Sequence, residues 1–346
     1  MEQHRAHPRH GVDDASHMGR AIDVAHTARL RARPNPWVGA VLVCADGREF
    51  AGATSEPGGP HAEIVAMNAA RAAGAELSGA VLFATLEPCS HRGRTGPCAD
   101  AIIAAGIARV VVGVEDPDTN VAGRGIARLR DAGVEVTAGL LADEVTEQLA
   151  PYLHHRRTGR PWVVLKMATT LDGRTVAPRG DRWITGELAR TRVHELRAES
   201  DAILVGSGTV RADDPELTVR HVDGRSPRRI VLSRTGSIDA AARVQPCEVW
   251  TGGITELLDS LGRDGVLQLM VEGGPTVAAA FHGAGLVNRY VFHVAPVISG
   301  EADTPGVFGL SPSPHDHMLA VNRLVSAGVL GNDIELVLEP HKETAA

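Results

Sequence analysis

The sequence predicts an α/β chain built as two domains in series, and three observations carry that prediction. Its 346 residues exceed what one ordinary domain needs. Short apolar runs alternate with helix-periodic segments along most of the length, the pattern of sheets covered by helices. Near the middle, the polar and basic stretch Tyr152 to Arg160 interrupts that alternation and reads as a linker.

The elements follow in order. Residues 1–15, with His4, His7, Pro8 and His10, read as a disordered tail. A helix is predicted from near Ser16, with Ile22, Ala25, Ala28 and Arg29 at helical spacing, ending before Pro34 and Pro36. Strands are predicted at Val38 to Val43, Ala80 to Thr85, Arg109 to Val114 and Val134 to Ala138. Helices separate them at His61 to Ala73, Cys98 to Ala105 and Gly125 to Ala132, the first two ended by Gly74 and Gly106. This defines a first domain over residues 16–150. In the linker, His154 and His155 read as solvated side chains. A second domain over residues 161–340 opens at Pro161 with the strand Trp162 to Met167. Further strands are predicted at Ala202 to Val205, Arg229 to Leu232, Glu248 to Trp250, Val266 to Val271, Tyr290 to Val294 and Ile334 to Leu338. Helices are predicted at Glu187 to Ala198, Ile254 to Leu261 and Thr276 to Ala284.

Composition narrows the function. The formal net charge of −7 and pI near 6.1 argue against the broad basic surface that grips a polynucleotide, so a free nucleotide is the better substrate. No apolar run reaches the roughly 18 to 20 residues that span a bilayer, and the polar N-terminus does not resemble a secretion signal. Four cysteines fit a reducing compartment better than a disulfide framework, so the expected location is cytoplasmic. Cys44 and Cys247 read as structural thiols.

The remaining two cysteines carry chemistry. His61-Ala62-Glu63, Pro88-Cys89 and Cys98 supply one imidazole and two thiolates, three good zinc ligands, with Glu63 close by but not a ligand. A fourth coordination position is left for water, whose pKa zinc lowers from about 15.7 to about 7, so the site is suited to hydrolysis. His61 and Cys98 are each placed at a helix start, where the helix dipole favours negative charge, and Cys89 lies just past a strand end. A structural zinc site needs a fourth protein ligand, for which His91 is the nearby candidate. H-x-E with a following P-C is the signature of zinc nucleoside and nucleobase deaminases, in which the glutamate shuttles protons.

That signature usually closes with C-x-x-C, whereas here Ser90 to Pro97 separates the cysteines. The run Leu86-Glu87-Pro88-Cys89-Ser90-His91-Arg92-Gly93-Arg94-Thr95-Gly96-Pro97-Cys98 closely resembles the bifunctional deaminase/reductase of bacterial riboflavin biosynthesis. The resemblance implies a cytidine-deaminase-like αβα domain followed by a dihydrofolate-reductase-like α/β domain. In the first, Glu63 is the implied catalytic residue and Asn35, Arg94 and Asp116 the implied substrate contacts. Asp118 and Thr54 depart from that family, in which many members carry asparagine and histidine at the matching positions.

In the second half, Gly206-Ser207-Gly208-Thr209 and Glu272-Gly273-Gly274-Pro275-Thr276 bring glycines to strand ends, where backbone N–H groups can approach a phosphate. Neither matches G-x-G-x-x-G, and tight turns use the same residues. Lys166 to Arg174, Trp183-Ile184-Thr185, Gly206 to Pro215 and Val271 to Thr276 are similar to the reductase half of the same family, which uses NADPH. The resemblance implies cofactor contacts at Ala168, Trp183, Thr209, Asp213, Gly274, Pro275 and Thr276, and substrate contacts at Asp181, Arg197, Leu217, Arg220 and Glu272. Arg197 and Arg220 suit a ribose phosphate, since guanidinium offers paired donors. Each could equally be a solvated charge, Trp183 a core residue and Asp213 a turn cap.

The function implied is two consecutive steps: zinc-dependent hydrolytic deamination of a diaminopyrimidinone ribosylamino phosphate, then NADPH-dependent reduction of its ribosyl group to ribityl. Lys166 or Asp213 is a candidate proton donor in the second. The expected partners are the small-molecule pyrimidine nucleotide and further copies of the chain, with neither nucleic acid nor membrane. Two other readings predict different behaviour. A single-activity deaminase would not bind NADPH, and a zinc-stabilised binding module would tolerate replacement of Glu63.

Overall fold

The structure is a computed structural model that describes residues 11–90, 96–119, 121–177, 181–300, 303–309 and 321–341. The chain divides into two compact units, Met1–Arg157 and Thr158–Ala346.

In the first unit the elements run α1 (Gly11–His26), β1 (Gly39–Val43), β2 (Glu49–Ala53), α2 (Ala62–Ala72), β3 (Val81–Leu86), α3 (Cys98–Ala104), β4 (Arg109–Val114), α4 (Arg124–Asp131), β5 (Glu135–Ala138), α5 (Ala142–Gln148) and α6 (Ala150–Thr158). The sheet order is β2-β1-β3-β4-β5. β1 pairs antiparallel with both β2 and β3, while β3, β4 and β5 run parallel. Parallel neighbours require crossovers, and α3 and α4 supply them. β3 and β4 are buried almost throughout, as strands covered on both faces must be.

Two glycines set how closely helices approach this sheet. A Cβ at Gly52 in β2 would lie 2.3 Å from the Ala62 carbonyl oxygen and 2.5 Å from the Ala66 nitrogen, so α2 rests directly on the β2 backbone. A Cβ at Gly125 would lie 1.9 Å from the Pro88 carbonyl oxygen, so α4 sits equally close to the turn after β3. Both contacts fix segments that carry candidate site residues.

The second unit continues with β6 (Trp162–Thr170), α7 (Glu187–Ala198), β7 (Ala202–Gly206), α8 (Ser207–Asp213), β8 (Arg228–Leu232), β9 (Glu248–Trp250), α9 (Ile254–Arg263), β10 (Gln268–Val271), α10 (Pro275–Gly283), β11 (Arg289–Ala295), β12 (Asn322–Leu330) and β13 (Asp333–Pro340). Its eight strands lie in the order β12-β13-β11-β6-β10-β7-β8-β9. The five pairings from β11 to β9 are parallel, and β13 and β12 add an antiparallel edge. Apolar side chains fill both faces: Leu165, Leu204, Leu269 and Phe281 on one, Ile203, Val205, Met270 and Val244 on the other.

Three readings of the sequence are corrected. The first helix begins at Gly11, inside the segment read as a tail, of which residues 1–10 lie outside the described residues. The supposed linker is mostly helix α6, whose Tyr152, Leu153 and His155 are buried, so His155 is not a solvated side chain. Pro151 is compatible with it because the first turn of a helix needs no donor there. The stretch Ser207–Asp213 after β7 is a helix rather than a simple turn.

Candidate active sites

The first site forms where α2, α3 and the end of β3 converge. His61 is the N-cap of α2 and Cys98 is the first residue of α3, while Cys89 follows β3. The ligand atoms of His61, Cys89 and Cys98 all lie within 4.8 Å of one another. The Nδ1 of His61 is 3.3 Å from the Cys98 sulfur and 3.6 Å from the Cys89 sulfur. The backbone N–H of Cys98 donates to the Cys89 sulfur over 3.4 Å, so the first turn of α3 supports a thiolate there.

Charge in this cluster is arranged for a cation. Hydrogen bonds from the Cys98 thiol and from His61 pull Cys89 down to about 4, while the neighbouring Cys89 thiolate and burial push Cys98 far up. One imidazole and two thiolates at these separations fit zinc, with a coordination position left over for water.

Glu63, in the first turn of α2, is 4% exposed, and burial raises its carboxyl above the usual range despite the opposing field of His61. Burial that favours its protonated form suits a carboxyl that must return a proton as well as accept one. It lines a cavity of about 200 Å³ together with His61, Cys89, Asn35, Thr54, Asp116 and Asp118. Of the sequence-predicted residues, Asn35 and Asp116 thus stand in one cavity with the candidate ligands His61 and Cys89, whereas Arg94 and His91 lie outside the described residues. Thr54 accepts the Val38 backbone N–H over 3.0 Å, a bond that ties β2 to the start of β1.

Sequence reasoning missed Glu87. It is 4% exposed, and its Oε2 accepts the backbone N–H groups of Asp116 at 3.2 Å and Gly123 at 2.9 Å. Its Oε1 accepts those of Gly125 at 2.8 Å and Ile126 at 3.1 Å. One carboxylate therefore caps α4 and anchors the Asp116 loop, two residues from the Cys89 ligand. The available signal was an acidic residue in an apolar strand end, but its partners lie 29 to 39 residues away.

The second site is a cavity of about 1510 Å³ at the ends of the parallel strands of the second unit, larger than the roughly 300 to 1,000 Å³ of a typical small-ligand pocket. Ala168, Trp183, Thr209, Asp213, Gly274, Pro275, Thr276, Asp181, Arg197, Leu217, Arg220 and Glu272 all line it. Gly206 caps α8, Gly208 in its first turn has nothing within 4 Å of where a Cβ would stand, and Gly274 caps α10 with Pro275 following. Two helix starts bordering one cavity fit the phosphates of a dinucleotide.

Trp183 is 55% exposed, which excludes the core reading, and the guanidinium groups of Arg182 and Arg190 lie 5.2 and 5.5 Å from its ring centre. Arg197 donates to Glu272 through two nitrogens and to the Thr218 carbonyl over 3.2 Å. Most of its donors are committed, so it is not a free surface charge. Arg220 bonds Glu216 and the Thr218 hydroxyl, and its backbone N–H donates to His194 Nδ1 over 3.1 Å. Burial drives Lys166 below its usual value. Burial alone would raise Glu272, but Arg197 and Lys166 hold it below the normal range. Leu217, buried at this wall, holds a left-handed φ of 56°. Sequence reasoning also missed Ser233, Thr235 and Arg234, which line the cavity beyond β8.

Comparison with known proteins now bears on both sites. Residues 12–114 match the family model described as the cytidine and deoxycytidylate deaminase zinc-binding region. Residues 161–336 match the RibD C-terminal domain. The riboflavin biosynthesis protein RibD of Escherichia coli is 38% identical over 350 residues, covering 88% of this chain and 94% of that protein. The Mycobacterium tuberculosis protein of the same name is 44% identical over 301 residues, covering 84% and 86% respectively. The solved structure of Acinetobacter baumannii RibD superposes with a TM-score of 0.86 at 32% identity, over 94% of this chain and 98% of that one. A Thermotoga maritima structure, described as a diaminohydroxyphosphoribosylaminopyrimidine deaminase/5-amino-6-(5-phosphoribosylamino)uracil reductase, gives 0.85 at 33% identity over the same shares. The first unit is accordingly cytidine-deaminase-like and the second of the dihydrofolate-reductase-like RibD type. With both halves matched in order and curated relatives covered over most of their length, the chain belongs to the RibD family.

Proposed function

We propose that this chain carries out two consecutive steps of riboflavin biosynthesis. The first is hydrolytic removal of an amine from a diaminopyrimidinone ribosylamino phosphate, and the second is NADPH-dependent reduction of its ribosyl group to a ribityl chain. In this reading the deaminase domain, expected over residues 16–150, takes in α1 from Gly11 and α6 as far as Arg157, and residues 161–340 form the reductase domain. The observation that carries it is the buried Glu63 carboxyl, which lines one cavity with His61 and Cys89, two members of the His61, Cys89 and Cys98 cluster.

A zinc ion held by those three side chains supplies Lewis acidity, which makes water nucleophilic at neutral pH. Glu63 takes the proton from the attacking water and delivers it to the departing ammonia, and its raised carboxyl suits both directions. Asn35 and Asp116 hold the pyrimidine, with Arg94 on its phosphate. In the second domain NADPH would supply the hydride, and Ala168, Trp183, Thr209, Asp213 and Gly274 to Thr276, which line the cavity, would hold it. Lys166, buried and lowered by that burial, and Asp213 both line this cavity and are the candidate proton donors, with the Glu272 carboxylate in the field of Lys166. Arg197 orients Glu272, and Asp181, Leu217 and Arg220 complete the substrate wall.

No helix among the described residues is long and apolar enough to cross a membrane. Four unpaired cysteines support a cytoplasmic location in this reading. Exposed Leu324, Val329 and Ile334 on the antiparallel edge support a homo-oligomer, which sedimentation would test.

The deciding experiment follows ammonia and nicotinamide absorbance with the diaminopyrimidinone phosphate. Glu63→Gln should lose about 10² to 10⁴ in ammonia release, keep its zinc, and reduce already deaminated substrate at the normal rate. Unchanged ammonia release would overturn the assignment of Glu63, and absence of both activities in the unaltered chain would overturn the reading.

A further inference from the structure

The helix that leads out of the first unit is built into its cavity. Neither family match covers it, since one ends at residue 114 and the other begins at 161. Yet α6 contributes Tyr152 and Arg156 to the cavity that contains His61, Glu63 and Asp116. The Tyr152 hydroxyl donates to Asp116 Oδ2 over 2.9 Å and lies 3.2 Å from Oδ1. Arg156 places its guanidinium 5.1 Å from the Tyr152 ring centre and pairs with Asp118 over 3.5 Å.

Asp116 and Tyr152 are 5% and 4% exposed, so their hydrogen bond forms away from bulk water. A carboxylate has about four acceptor positions. The Asp118 backbone N–H takes one on Oδ1 at 2.9 Å and the Tyr152 hydroxyl takes another, leaving capacity for donors of a ligand in the cavity. An aminopyrimidine presents such donors along its amine and amide edge. The carboxylate can read that edge only if its plane is fixed, and Asp116 sits on a loop whose neighbouring Asp118 repels it. Arg156 offsets that repulsion, and the hydroxyl holds the plane.

We infer that Tyr152 is a positioning residue of the deaminase site, orienting Asp116 toward the amine and amide edge of the pyrimidine, with Arg156 steadying both through Asp118 and the Tyr152 ring. The inference rests on the deaminase reading of the first unit. The helix that connects the units is on this account a wall of the substrate pocket.

The test uses the full chain loaded with zinc. Tyr152→Phe keeps the ring and its contact with Arg156 and removes one hydroxyl. The expected result is a rise of about tenfold in KM for the diaminopyrimidinone phosphate, since a hydrogen bond to a charged group is lost, with kcat changed less than about twofold. Zinc content and the reduction of deaminated substrate should be unchanged. Asp116→Asn should raise KM as well, and the double variant should be no worse than Asp116→Asn alone, because the hydroxyl acts through that carboxylate. A wild-type KM in Tyr152→Phe, additive effects in the double variant, or a joint fall of kcat and zinc content would each overturn the inference. Failure of the deaminase reading would instead show as no ammonia release from the unaltered chain.

Discussion

Arg197 grips Glu272 at two points, Nη2 to Oε2 over 2.7 Å and Nε to Oε1 over 3.2 Å, with both side chains nearly buried at 12% and 11% exposure. The pair is as much a structural element of the second unit as a ligand contact. Removing one partner strands the other charge, so Arg197→Ala should cost about 3 to 5 kcal/mol in urea unfolding of that unit. A loss below about 1 kcal/mol would show that water reaches Glu272 freely.

The same pair predicts an acid response. Because Glu272 titrates below its usual value in the fold, its contribution is complete above about pH 4.3 and disappears as pH falls through the lower folded value. The stability difference between the unaltered chain and Glu272→Gln should therefore shrink below about pH 4. Unfolding curves at several pH values would measure it, and a constant difference would contradict the ion pair.

His194 should remain neutral well into acid. Burial, then the nearby Arg197, lowers it to about 4, and its Nδ1 accepts the Arg220 N–H while its ring stacks on His221 at 4.4 Å. Protonation would sacrifice that bond. The unfolded chain takes up the proton near pH 6.5 and the fold resists, so stability contributed by His194 falls as pH drops from about 6.5 toward 4. Ring-proton NMR should place its midpoint near 4, and a midpoint above 6 would contradict the geometry.

Closely packed glycines should be intolerant of a methyl group. Gly52→Ala drives a Cβ to 2.3 Å from a backbone oxygen of α2, the helix that begins beside His61. Relieving that clash must shift the helix, at a cost of about 1 to 3 kcal/mol, and should weaken zinc retention in a chelator competition. Retention equal to the unaltered chain would mean that α2 moves without its N-cap.

Trp183 offers an optical test of the second cavity. Exposed at 55% and lining it, the indole should change its emission when NADPH binds, and Trp183→Leu should weaken binding by about three- to tenfold. An unaltered affinity would place the cofactor elsewhere along the cavity.

Much of this architecture was legible because the buried strands announce themselves as apolar runs. The buried strand Arg109–Val114 coincides with its sequence-predicted bounds, and so do the helix Glu187–Ala198 and the more exposed strand Glu248–Trp250. Strands β2 and β12 were not legible. Gly52 interrupts one, and the other lies at a sheet edge with most side chains in solvent, so neither carries a burial pattern. Helix α6 was hidden by Pro151 and by its run of basic residues, which reads as solvated until the packing of Tyr152 and His155 is seen.

The site divides in the same way. His61, Glu63, Cys89 and Cys98 could be picked out because metal ligands are chemically rare and closely spaced. Glu87 and Tyr152 could not, since each acts through a partner brought near only by folding. Arg197 was readable as a cation but not as one already occupied by Glu272.

Helix α6 bears on how such a chain can be cut and rejoined. A recombination breakpoint placed at residue 114, where the first family match stops, would transplant His61, Glu63 and both cysteines. It would leave behind the backbone N–H donors that the Glu87 carboxylate accepts, and with them Asp116, Tyr152 and Arg156. A graft that keeps the whole pocket has to run on to Arg157, where the first unit ends.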